Sequence, residues 1–76
     1  MKELLEAIAR SLVDYPDEVV VNEVDEGNTV ILELKVAKED MGKVIGKQGR
    51  IAKAIRTVVK AAAIKENVRV AVEIVQ

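Results

Sequence analysis

Residues 29–36 carry an apolar side chain at every second position, residues 67–75 do so again, and the long stretch between them does not. A period of two places successive side chains on opposite faces of a strand, so each run predicts a strand buried on one side only. In the first run Val30, Leu32, Leu34 and Val36 share the inward face, while Glu33 and Lys35 point outward. In the second, Val68, Val70, Val72 and Ile74 face inward and Arg69 and Glu73 outward. Residues 18–24 are mostly valine and are followed by Asp25-Glu26-Gly27-Asn28, whose turn chemistry predicts a hairpin with the strand at 29–36.

The other segments carry a helical period. Leu4, Leu5, Ile8, Ala9 and Leu12 recur on one side of residues 2–13, opposite Lys2, Glu3, Glu6 and Arg10. This helix is expected to stop near Asp14, because Pro16 disfavours helical geometry in the residue before it. Residues 38–64 predict two helices separated by Gly46 and Gly49. The order is then α-β-β-α-α-β. Three strands with one apolar face and three helices covering that face make an α+β two-layer sandwich.

A chain of 76 residues has room for one core, so residues 1–76 are read as a single domain. Half of its residues are apolar and 33% charged, a balance that folds. With no cysteine, neither disulfides nor thiolate metal sites hold that core together. No apolar run is long enough to cross a bilayer, and Met1-Lys2-Glu3-Leu4 lacks the order of a signal peptide. The expected location is the cytoplasm, with no membrane partner.

A net charge of −1 conceals an uneven distribution. Residues 1–37 hold nine acids and three bases, residues 38–60 seven bases and two acids, and residues 61–76 two of each. Positive charge is therefore concentrated in the segment that contains the glycine pair.

Gly46-Lys47-Gln48-Gly49 sits where a helix begins. Such a start presents main-chain N–H groups and the positive end of the helix dipole, which favour an anion such as phosphate. Glycine, lacking a Cβ, lets a phosphodiester come close to the main chain. With Arg50 set at zero and about 100° per residue, Ile51, Ile55, Val58, Val59 and Ala62 fall within roughly 80–180°. Arg50, Lys53, Arg56 and Lys60 fall within roughly 240–360°, giving a basic face opposite a core face.

Val44-Ile45-Gly46-Lys47-Gln48-Gly49-Arg50-Ile51 resembles the signature of KH domains, in which a GXXG loop joins two helices and clamps four nucleotides by their backbone. The element order resembles the type II KH arrangement over essentially the whole chain. The continuation from Arg50 to Ala63, in so short a chain, is similar to the KhpA family of small bacterial RNA-binding proteins. The resemblance implies single-stranded RNA as ligand, Gly46, Lys47, Gln48 and Gly49 at the clamp, and Arg50 and Lys53 beside it. Ile45 and Ile51 become candidate groove or core residues. It also implies a role as post-transcriptional regulator or RNA chaperone. Pairing as a homodimer, or as a heterodimer with a second KH-containing protein, is implied as well.

Each of these residues has a plainer role. The glycines end one helix and start another in many proteins; two of them around a lysine, beside a basic face, favour the clamp. Lys53, Arg56 and Lys60 are as readily a solvated surface as an RNA contact. Gly42 is read as easing a close approach between elements, and Tyr15, beside Pro16, as hinge packing rather than a stacking platform. An enzyme is not expected: there is no His or Cys, Ser11 is the only serine and has no evident base, and no metal-ligand or P-loop spacing occurs. No cofactor is expected either. The alternative is a protein–protein interaction module in which RNA binding is weak or absent.

Overall fold

The structure is a computed structural model that describes residues 1–75, the Lys47 side chain excepted. Helix α1 (Lys2–Leu12) buries Leu5 and Ala9 and leaves Lys2, Glu3 and Arg10 outside, as its amphipathic pattern requires. It ends two residues before Asp14, with Val13 extended. Pro16 then opens a single 3-10 turn (Pro16–Glu18), so the strand expected from residue 18 begins at Val20 instead. Proline suits that first position, since its missing N–H would have no helical partner there.

Strands β1 (Val20–Asp25) and β2 (Thr29–Lys35) pair antiparallel, with Val21 opposite Leu34 and Asp25 opposite Val30. Their turn is closed by the Glu26 N–H donating to the Thr29 carbonyl, 2.8 Å, and the Gly27 N–H donating to the Asp25 carboxylate, 3.0 Å. Gly27 lies at φ +78, which explains glycine at that point. Strand β3 (Arg69–Val75) lies parallel to β2, with Leu32 opposite Val72, and completes a sheet of order β1-β2-β3.

Parallel neighbours need a long crossover. Here it is helix α2 (Lys38–Lys65). A straight helix of 28 residues would measure roughly 40 Å at 1.5 Å per residue, yet the longest dimension of the molecule is 33 Å. It does not run straight: Gln48 and Gly49 stand at φ +63 and +68, left-handed values that a right-handed helix does not contain. The two helices expected around the glycine pair are thus the arms 38–47 and 50–65 of one helical span, broken at Gln48-Gly49. The α-β-β-α-α-β order and the α+β sandwich hold, in the arrangement of a type II KH-like fold.

The core lies between the sheet and these helices. Val21, Leu32 and Leu34 from the sheet meet Leu5 and Ala9 from α1, Val44 from the first arm of α2, and Ala52, Ile55 and Val59 from the second. Two inward assignments fail. Val58 is 45% exposed, because it lies at the margin of the arc that faces the sheet. Val68 is 41% exposed, because the strand begins one residue later, at Arg69.

Asp40, at the start of α2, is fully buried and was not singled out by the sequence patterns. Its carboxylate accepts the main-chain N–H groups of Asp14, 2.9 Å, and Tyr15, 3.0 Å, just beyond α1. Charge-assisted bonds of this kind are the stronger class. They tie the exit of α1 to the entry of α2 across some twenty-five residues of chain. Lys43 Nζ adds an exposed contact to Asp14 Oδ1 at 3.3 Å, of small energetic weight. Tyr15 is 44% exposed and is held at this hinge through its backbone.

Candidate nucleic-acid interface

The break in α2 falls inside the Gly46-Lys47-Gln48-Gly49 segment, but not where two glycines alone would put it. The left-handed residues are Gln48 and Gly49, whereas Gly46 keeps its place in the first arm. A Cβ built on Gly46 would meet no described heavy atom within 4 Å, and the same is true of Gly49. The main chain at both glycines is therefore open to approach from outside. Gly42 shows the same free space, which corrects its reading as a relief of crowding.

Around the bend, Gln48, Arg50 and Lys53 are exposed, Gly46, Gly49 and Ile51 are partly buried, and Ile45 is 49% exposed. The Lys47 side chain lies outside the described residues. Ile51 is among the residues packed against the core cluster, while Ile45 leaves half its surface free. The structure thus gathers the expected site residues on one corner of the molecule, where the two arms meet. Among the described residues, no carboxylate forms a salt bridge with Arg50, Lys53, Arg56 or Lys60; the two ion pairs present are Arg10 with Glu6 and Lys43 with Asp14.

Arg56 differs from its neighbours on the basic face. Its Nε donates to the backbone carbonyl of Val72, 3.4 Å away, on the edge strand β3. The helical pattern placed Arg56 with the other bases and gave no sign of this contact. Ser11 donates its hydroxyl to the Ile8 carbonyl, 2.8 Å, within α1. Among the described residues no group of three or more His, Cys, Asp or Glu is placed to hold a metal ion. No described helix is long and apolar enough to cross a membrane.

With this geometry in place, comparison with known proteins gives a direct result. The family described as KhpA/KhpB, KH domain, matches residues 2–74. The chain belongs to that family. It is 76% identical to RNA-binding protein KhpA of Clostridium acetobutylicum over 99% of this chain and 100% of that one. It is 53% identical to RNA-binding protein KhpA of Chlamydia trachomatis serovar D, over 100% of this chain and 97% of that one. Among solved structures, a crystal structure of Era in complex with MgGDPNP and nucleotides of 16S ribosomal RNA superposes with a TM-score of 0.68 at 20% identity. It covers 96% of this chain and 28% of the Era chain, a likeness of fold. Membership of the KhpA/KhpB family agrees with the resemblance carried by the GXXG segment and with the type II-like element order.

Proposed function

We propose that this KhpA-family chain binds single-stranded RNA and clamps the backbone of a short segment at Gly46, Lys47, Gln48 and Gly49. The observation that carries this reading is the pair of left-handed residues at Gln48 and Gly49, which starts the second arm of α2 at an accessible corner. A helix start offers N–H donors and a positive dipole end to phosphate oxygens. Arg50 and Lys53 then add long-range attraction, and the exposed half of Ile45 offers an apolar surface to a base. Ile51 packs against the core cluster. The named function of the relatives points the same way.

In this proposal the chain is a binding module without bond chemistry or cofactor, acting in the cytoplasm of a bacterium as a post-transcriptional regulator or RNA chaperone. One domain neutralising a few phosphates binds weakly, and pairing with itself or with a second KH protein raises its avidity. Ile64 and Val68, 72% and 41% exposed, line one groove and offer apolar surface for such pairing. The same patch is what favours the second reading, a protein–protein interaction module with weak or absent RNA binding.

Replacing Lys47 and Gln48 together by Asp separates the two. Backbone clamping requires loss of RNA retention, measured by crosslinking to cellular RNA, with the thermal midpoint of the fold kept. If RNA is retained and a protein partner is lost instead, the second reading stands.

A further inference from the structure

The sheet order β1-β2-β3 leaves β1 with a free edge on the side away from β3. The turn fixes which groups that edge presents. The Glu26 N–H bonds to the Thr29 carbonyl, and an antiparallel ladder alternates bonded and unbonded pairs. With Asp25 opposite Val30, the bonded pairs are Val24 with Ile31, Asn22 with Glu33 and Val20 with Lys35. The N–H and C=O groups of Val21, Glu23 and Asp25 therefore point away from β2, and among the described residues no turn or loop main chain bonds to them. The register runs from Val20 to Asp25 without a bulge, and β1 contains neither lysine nor proline, which blunt many edges.

We infer that this edge takes an extended segment of a partner protein, added antiparallel, in which basic and apolar side chains alternate. Glu23 and Asp25 share a face of the strand with buried Val21 but are themselves exposed, and residues 20–28 hold three acids and no base. On the opposite face Val20 and Val24 are 47% and 39% exposed, with Asn22 between them. An incoming residue paired with Glu23 or Asp25 exchanges both main-chain bonds with it and shares its face, so Lys or Arg answers it there. The residues between fall on the face of Val20 and Val24, where apolar side chains cover exposed valine. A second copy of β1 fits poorly, because it brings acids of two chains together on one face. Strand addition of this kind takes affinity from main-chain bonds and selectivity from alternate side chains. The edge lies at the far side of the sheet from β3, so it is open to a protein segment whatever occupies the bend in α2.

The plain alternative is that Glu23 and Asp25 only protect the edge from self-association. Labelled octapeptides separate the two, with binding to the intact protein read by fluorescence anisotropy. A peptide alternating lysine and valine should bind roughly 10- to 100-fold tighter than one with the same lysines and valines in two blocks. N-methylation of its lysine amides, which face β1, should cost a similar factor, and N-methylation of its valine amides little. Glu23→Pro removes only an N–H directed outward, a position proline tolerates on an edge strand, so it should melt near the wild type and lose the alternating peptide. Glu23→Lys should weaken that peptide by roughly 2- to 10-fold. No binding of the alternating peptide by the wild type overturns the inference and leaves the acids as edge protection. Equal binding of the alternating and block peptides, or of the two methylated forms, also overturns it, since the contact is then charge attraction alone. So does full binding by Glu23→Lys. If Glu23→Pro fails to fold, the methylated pair decides.

Discussion

Replacing Gly46 by Ala should make the protein more stable and a poorer RNA binder. Gly46 lies in the first arm of α2 with no left-handed φ, and an added Cβ meets no described atom within 4 Å. In such a position alanine is preferred to glycine by about 0.5–1 kcal/mol, because glycine loses more backbone entropy on folding. For a domain of 76 residues, at about 4–8 °C per kcal/mol, the melting temperature should rise by roughly 2–8 °C. Gly49 gives the opposite sign. At φ +68 a Cβ is strained by about 1–2 kcal/mol, so Gly49→Ala should melt roughly 4–16 °C lower. Circular dichroism melts and anisotropy with a short RNA, run on the same samples, give both quantities. If a phosphodiester passes close to the Gly46 main chain, Gly46→Ala loses affinity while gaining stability, an uncoupling that no folding defect produces. A lower melting temperature for Gly46→Ala refutes the conformational argument. A raised one with unchanged affinity refutes close approach at that glycine.

Asp40→Ala removes the acceptor of two N–H groups, and at about 1.5–3 kcal/mol for a bond to a charged group the total loss should be near 3 kcal/mol after relaxation. Urea unfolding should show it, with Asp40→Asn intermediate because its amide keeps one acceptor oxygen. Ile55→Ala should lose about 2–5 kcal/mol in the same assay, whereas Val58→Ala, three residues on but 45% exposed, should stay within about 0.5 kcal/mol. RNA affinity should fall with salt: three neutralised phosphates on a single strand give roughly a 20-fold loss between 50 and 200 mM, and a flat profile argues against phosphate contact.

Strands β2 and β3 were legible because each carries its own period, and β1 from its valines and the turn after it: Leu32 and Leu34 announce the buried face of β2, and Asp25-Glu26-Gly27-Asn28 announces the turn before it. Helix α1 was legible for the same reason. The bend was legible in place but not in form. A glycine pair suggests that both glycines take unusual conformations, yet Gln48 holds one of the left-handed positions and Gly46 does not. Nothing local to Gln48 signals this, since the path of the chain between the two packed arms imposes it. Asp40 was illegible because its partners are backbone amides of residues 14 and 15, which carry no pattern. Arg56 looked like any base on an outer face, because the carbonyl it meets comes from β3, sixteen residues away. What the sequence did not announce, at Asp40 and at Arg56, is a side chain whose partner is main chain.

The parallel pairing of β2 with β3 joins Thr29 to Arg69, forty positions apart. During synthesis at about 5–20 residues per second, β2 therefore spends roughly 2–8 s with one flank unmatched. Through that interval the nascent hairpin displays a hydrophobic ribbon and a row of unanswered amides, the template on which neighbouring chains stack. A fragment ending before Arg69 keeps that flank of β2 open and is not a smaller version of the fold.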